Sequence, residues 1–126
     1  MATRQKVLVT GASGLIGGLV IKNLGEKYEF TALNRRPLED IASTQADISN
    51  FESIQMAFTD IDTVLHLGAL ATPGLTNNWD GIVSTNIHGT FNVYEASRIA
   101  GVKRIIFASS GAVSYTHLTL PPSDLV

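Results

Sequence analysis

The feature that most constrains this chain is the run Val7-Leu8-Val9-Thr10-Gly11-Ala12-Ser13-Gly14-Leu15-Ile16-Gly17. An apolar, β-like stretch ends in three glycines spaced three apart, and an apolar helical pattern begins at once. Strand, tight turn and helix must follow one another without a linker. The backbone N–H groups that open the helix then point back at the turn. With the positive end of the helix dipole they suit a dianionic ligand such as a pyrophosphate. Gly11 permits the sharp turn, Gly14 lets backbone approach phosphate oxygens, and Gly17 lets the helix pack close to the strand. The bland alternative is a strand-to-helix turn with no ligand, and a lone glycine pattern is weak evidence against it. No Gly-Lys-Ser or Gly-Lys-Thr follows, so the loop is not of the P-loop kind.

The rest of the chain alternates strand and helix patterns. Lys6 to Thr10 reads as a buried parallel strand. A helix from about Gly14 to Leu24 carries an apolar stripe of Ile16, Val20 and Leu24 beside Gly17 and Ile21, and Gly25 is placed to end it. Phe30 to Asn34 is the second strand and Gln45 to Ile48 a short third. Ser49-Asn50-Phe51-Glu52 reads as a Ser-x-x-Glu capping box opening a short helix to about Phe58. Asp62 to Leu67 is the fourth strand, and 69–78 a loop. A long helix from about Trp79 to Ala100 stops at Gly101, and Lys103 to Ser109 is the fifth strand. This alternation predicts an α/β fold with a doubly wound parallel sheet in the order 3-2-1-4-5, helices on both faces. Such sheets bind ligands beyond the carboxyl ends of their strands, where the order reverses. Gly11, Asn34, Asp47, Gly68 and Ser110 fall at or just past those ends.

Winding the long helix at 3.6 residues per turn puts Ile82, Val83, Asn86, Ile87, Thr90, Val93, Tyr94 and Ala100 on its inner side. Asn86, in mid-stripe, needs a specific partner if buried, either a neighbouring loop or a ligand. His88, Phe91, Asn92, Glu95 and Arg98 fall on the outer side. The apolar Phe91 there leaves room for a contact with a second copy, a homodimer through the 79–100 helix.

Bulk properties narrow the function classes. The 126 residues allow one domain, and 44% hydrophobic with 16% charged residues describes an ordinary folded chain. A net charge of −2 gives no footprint for nucleic acid or an anionic membrane. The chain has no cysteine, which excludes disulfides and thiolate metal sites and suits a reducing cytoplasm. No metal site is expected. No apolar run approaches the ~18 residues of a membrane span. The basic start is followed by too short an apolar run for a signal peptide.

The motifs Thr10-Gly11-Ala12-Ser13-Gly14-Leu15-Ile16-Gly17, Asp47-Ile48, His66-Leu67-Gly68-Ala69, Asn86-Ile87-His88-Gly89-Thr90 and Gly101-Val102-Lys103-Arg104, running into Phe107-Ala108-Ser109-Ser110, stand in one order. In that order the chain resembles the N-terminal half of an extended short-chain dehydrogenase/reductase, of the NAD-dependent epimerase/dehydratase group. The resemblance implies a cofactor, NAD or NADP. Ser13, Gly14, Leu15 and Ile16 would hold the pyrophosphate. Asp47 and Ile48 would contact adenine, Leu67, Gly68 and Ala69 would line the ribose and nicotinamide side, and Asn86 would sit near the nicotinamide ribose. Ser110 matches the family's catalytic Ser/Thr, which hydrogen-bonds the substrate group that exchanges hydride. Members that prefer NAD end the second strand with an acidic residue; here Asn34 stands there, followed by Arg35 and Arg36. A guanidinium suits a 2′-phosphate, so NADP is open.

The family's catalytic base, a tyrosine with a lysine four residues on, has no match. Tyr28 is followed at that spacing by Ala32, Tyr94 by Arg98 and Tyr115 by Thr119. After Ala112 the family pattern stops, and Val113 to Pro121 resembles a transposon-derived sequencing adapter read in frame. The expectation is therefore a dinucleotide-binding portion over 1–112, a non-native tail over 113–126, and no turnover by the chain as it stands. The parent would be an oxidoreductase, epimerase or dehydratase acting on a sugar, nucleotide-sugar or related hydroxyl compound. A non-catalytic dinucleotide-binding regulatory module is the competing reading.

Overall fold

The computed structural model describes residues 4–69 and 79–108. The expected loop 69–78 (save Ala69), Ser109, Ser110 and the tail lie outside the described residues. The parallel sheet has the order β3-β2-β1-β4-β5. Its strands are β1 (Lys6–Thr10), β2 (Glu29–Asn34), β3 (Ser43–Gln45), β4 (Thr63–His66) and β5 (Arg104–Phe107). β1 lies at the centre, with Leu8 opposite Thr31 of β2 and Val64 of β4.

Alternation along the strands builds a core on each face. Leu8, Leu33 and Val64 join Ile48, Ile54, Phe58, Val93 and Ala96 on one side. Val7, Val9 and Ala32 join Ala12 on the other, with Ile21, Leu65 and Leu67 packed against them. The first face is covered by α2 (Phe51–Ile54), the 3₁₀ turn Gln55–Phe58 and α4 (Gly89–Ala100), and the second by α1 (Leu15–Leu24). Among the described residues no helix is long and apolar enough to cross a membrane.

Several local expectations are corrected. β3 ends at Gln45 rather than running to Ile48. After Ala46 N–H reaches the Asn34 carbonyl at 3.0 Å the chain turns away, because burying Ile48 in the core draws it off the sheet plane. The cap of α2 is Asn50, whose side chain accepts from Ser53 N–H; Ser49 instead gives its N–H and hydroxyl to Asp47. In α1 the expected stripe holds at Val20, Ile21 and Leu24, which are half-buried, but Ile16 is 61% exposed because the first turn overhangs a cleft.

The long helix is not uniform. It runs as α3 (Trp79–Ile82), a π-helical segment Val83–His88, and α4. The Gly89 N–H reaches back to the Ser84 carbonyl, a step of five residues. Wider winding there shifts the phase of everything that follows. Gly89, Val93, Ala96 and Ser97 are buried, whereas Ile87, Tyr94 and Ala100 are exposed. Asn92, expected outside, is half-buried and donates to the Ile48 carbonyl at 2.9 Å. α4 stops as its sequence indicates. Gly101 has φ +78, and the N–H groups of Gly101 and Val102 bond the Arg98 and Ser97 carbonyls, a Schellman closure.

The paired glycines of α1 give a clean test of packing against propensity. A Cβ on Gly17 would stand 2.9 Å from Ala12 Cα and 3.0 Å from the Gly11 carbonyl oxygen, both backbone. A Cβ on Gly18 would meet nothing within 4 Å. Alanine is favoured over glycine in a helix by about 0.8–1 kcal/mol. Gly18→Ala should therefore raise stability by about 0.5–1 kcal/mol in urea denaturation. Gly17→Ala should lower it despite the same propensity gain. Equal stabilisation by both would contradict the close approach of α1 to the strand end.

Candidate functional site

The strand order reverses between β1 and β4, and the carboxyl ends of both strands open there into one cleft of about 460 Å³. Its floor begins where β1 stops. Gly11 has φ +69, and a Cβ on it would lie 2.9 Å from Gly68 N and Cα. Only glycine allows both that conformation and that contact. The turn continues to Gly14, whose N–H bonds the Gly11 carbonyl at 3.1 Å. Gly14 then caps α1 in an extended conformation with no side-chain cap hydrogen bond. A Cβ on Gly14 would meet protein only at the Gly11 carbonyl oxygen, 3.4 Å away, so a larger side chain there would grow into the cleft.

Most of the residues singled out from sequence come together along this cleft. Gly11, Ser13, Gly14, Ile16 and Gly17 line it from the turn and first helical turn. Asn34, Arg35, Asp47 and Ile48 line the side formed by β2 and the segment after β3, and Leu67, Gly68 and Ala69 line the side beyond β4. Leu15 does not; it is 80% exposed and faces away. Asn86 is half-buried in the π segment and makes an interaction of its own, while its neighbour Thr85 reaches the cleft wall. Leu33, Arg36, Ala46, Thr85 and Ala108 complete the lining. Of these, sequence reasoning singles out only Arg36. Leu33, Ala46 and Ala108 sit at strand ends, a signal that could have found them; Thr85 depends on the π segment, which no local pattern announces.

Polar groups on the β2 side are fixed before any ligand arrives. The Asn34 amide donates to the Arg36 carbonyl at 2.9 Å and accepts from the Ser13 hydroxyl at 3.4 Å, joining the glycine turn to the β2 end. Asp47 accepts from the Ser49 N–H and hydroxyl, each at 2.9 Å. The Ser49 amide holds its carboxyl below the ordinary value against the opposing effect of burial, and the Ser49 hydroxyl and Arg35 guanidinium add to the lowering. Beneath the floor His66 is 2% exposed. Its Nδ1 lies 2.6 Å from the Thr10 hydroxyl and its Nε2 3.1 Å from that of Thr90. The Phe107 ring stacks on it at 5.7 Å. Burial pushes the imidazole pKa down to about 4.

The sequence pattern of the NAD dependent epimerase/dehydratase family matches residues 7–120. This chain belongs to that family. It is 34% identical over 108 residues to an L-arabinose 1-dehydrogenase (NAD(P)(+)) of Haloferax volcanii, covering 86% of this chain and 42% of that one. Among solved structures it is similar to a uronate dehydrogenase from Agrobacterium tumefaciens, with TM-score 0.76 and 29% identity over 86% of this chain and 41% of that chain. It is also similar to the UDP-glucose 4-epimerase of Thermus thermophilus in complex with NAD, with TM-score 0.76 and 26% identity over 85% and 38% of the two chains. The chain thus spans about two fifths of the length of the relatives it matches.

The buried imidazole gives this family member a defined acid response. Unfolded, His66 takes a proton near its ordinary 6.5; folded, it does so only at about 4. Between those values the unfolded chain binds the extra proton, so stability falls as pH drops from 6.5 and levels off below 4. The loss should reach about 2–3 kcal/mol. The depressed Asp47 adds its own loss only at lower pH, below its ordinary 3.8. Urea denaturation from about pH 7 to about 4.5 should show this decline in the wild type and a much flatter profile in His66→Gln. Parallel profiles would mean that His66 is not held neutral by the fold.

Proposed function

We propose that this chain is the dinucleotide-binding portion of an NAD(P)-dependent epimerase, dehydratase or dehydrogenase acting on a sugar, nucleotide-sugar or related hydroxyl compound. The observation that carries this is the Gly11–Gly14 turn. It delivers an α1 N-terminus without a side-chain cap to the point where the strand order reverses, and the cleft there continues past Asp47 on one side and Ala69 on the other. The pyrophosphate would lie against the backbone of residues 13–16, where helix-end N–H groups and the dipole favour negative charge. The open space over Gly14 fits that group, and Ser13 is held nearby by Asn34. Adenine would pack on Ile48 beside Asp47, and the nicotinamide end would run along Leu67, Gly68 and Ala69 toward Asn86. When bound, the nicotinamide supplies hydride transfer to or from a hydroxyl carbon. Ser110 would hydrogen-bond the substrate oxygen, orienting it. The relatives' names, a sugar dehydrogenase, a uronate dehydrogenase and a nucleotide-sugar epimerase, support the substrate class.

Cofactor choice would rest on the β2 end. Asn34 carries no charge to repel a 2′-phosphate, its amide is engaged at both ends, and Arg35 and Arg36 line the cleft beside it. Both NAD and NADP would be accepted, with Arg35 gripping the 2′-phosphate. A charge-assisted hydrogen bond contributes about 1.5–3 kcal/mol. Arg35→Ala should weaken NADPH binding about 10- to 100-fold in calorimetry and spare NADH. Gly14→Val should abolish both. Equal effects of Arg35→Ala on the two cofactors would remove the role of Arg35. Full NADH affinity in Gly14→Val would remove the site.

The outward stripe of the long helix, Ile87, Phe91 and Tyr94, is 59%, 65% and 42% exposed. Three apolar side chains at this spacing would meet the same stripe of a second copy. Sedimentation of the wild type should then show a concentration-dependent dimer that Phe91→Asp converts to monomer. A wild type that stays monomeric at all concentrations would contradict the contact.

A further inference from the structure

Beneath the cleft runs a hydroxyl–imidazole–hydroxyl chain that the dinucleotide reading leaves unused. Thr10 is the last residue of β1, His66 the last of β4, and Thr90 lies in the first turn of α4. Thr10 and His66 are fully buried, at 0% and 2% exposure. The chain therefore ties together the carboxyl ends of both strands that flank the reversal point and the helix just after the π segment.

The direction of its hydrogen bonds follows from counting. The Thr10 hydroxyl has one proton and two lone pairs. Gly68 N–H donates to that oxygen at 2.9 Å, and Leu67 N–H donates at 3.0 Å while also reaching the Thr10 carbonyl at 3.2 Å. Both lone pairs are thereby used. The hydroxyl must then be the donor in its 2.6 Å bond to His66 Nδ1, which accepts and carries no proton. A neutral imidazole with a bare Nδ1 bears its proton on Nε2, which donates to the Thr90 hydroxyl at 3.1 Å. The low pKa of His66, about 4, agrees with a neutral ring at physiological pH.

We propose that His66, with its proton on Nε2, is a positioning residue for the cleft. By drawing the Thr10 O–H to itself it leaves both Thr10 lone pairs aimed at the Leu67 and Gly68 amides. The wall formed by Leu67, Gly68 and Ala69 is thus held against the glycine turn, where Gly68 backbone already abuts Gly11. An imidazole proton on Nδ1 would have no lone pair to meet on Thr10 and would force one of the two amides off it. His66 lies outside the cleft lining, as do Thr10 and Thr90, so its influence on a ligand passes through backbone. The ligand half of this proposal rests on the dinucleotide reading; the hydrogen-bond direction does not.

Two measurements on the whole chain test it. Long-range ¹H–¹⁵N correlation spectra of the unliganded protein near neutral pH should show His66 as a neutral ring protonated on Nε2. A proton on Nδ1, or on both nitrogens, would overturn the proposal whatever the protein binds. The second compares Thr90→Val, which removes the Nε2–H acceptor, with Thr90→Ser, which keeps it. Thr90→Val should move the Leu67 and Gly68 amide resonances and weaken NADH binding about three- to tenfold, and Thr90→Ser should restore both. A folded Thr90→Val with unmoved Leu67 and Gly68 amides would overturn the positioning role. If Thr90→Val does not fold, the ring spectrum of the wild type decides. If the wild type binds no NADH, the dinucleotide reading fails, and the Leu67 and Gly68 amides still decide the role of His66.

Discussion

The structure depends on what happens at the end of β1. That strand is central, hydrogen-bonded on both sides and buried from Val7 to Thr10. At Gly11 the chain must leave a fully packed sheet, reverse, and start a helix that lies back on it. Three backbones crowd together there: the turn itself, Gly68 beyond β4, and Ala12 against Gly17 of α1. A Cβ at Gly11 or Gly17 would stand about 2.9 Å from backbone atoms that no rotamer change can move. This crowding is what brings the α1 N-terminus over the reversal point, and so decides where a cleft can form.

The treatment of helix ends follows from that geometry. α2 takes its N-cap from Asn50, and α4 closes on its own carbonyls through Gly101. The N-terminus of α1 receives no side-chain cap, has no acidic residue in its first turn, and faces the cleft. At those other two ends the chain satisfies helix termini from its own residues; here it leaves positive potential to a ligand. The surrounding polar groups are by contrast committed to one another. Asn34 bridges Ser13 and the Arg36 backbone, Asp47 is held by Ser49, and His66 is clasped by two threonines. The cleft is thus rigid in its walls and open at its phosphate end, which suits a ligand recognised by shape and charge along its length.

Much of this is legible in the residues. Strand–helix alternation and the right-handed crossover rule lead to the order 3-2-1-4-5, and the structure has it. The strand-end rule brings Gly11, Asn34, Asp47 and Gly68 together from sequence alone, and all four line the cleft. What fails is local phase. Carrying 3.6 residues per turn across 79–100 cannot foresee a π segment at Val83–His88, so Ile87 and Asn92 each fall on the wrong side. Ser49 and Glu52 match a capping box, but the nearby Asp47 carboxylate competes for Ser49 and Asn50 takes the cap. Ile48 reads as a strand residue because it is apolar; tertiary burial draws it into the core, where a Cβ on Gly89 would touch its side chain at 2.6 Å. The role of His66 is invisible in sequence because its partners lie 56 and 24 residues away.

The most direct measurement is amide chemical-shift mapping of the whole chain during an NADH titration. If the dinucleotide lies along the cleft, the amides of Gly11, Gly14, Ile16, Asp47, Gly68 and Ala69 move together and saturate at one concentration. Movement confined to the groove on the opposite end of the sheet, at Lys6, Thr31, Thr44 and Thr59, would contradict the assignment, as would no movement at all.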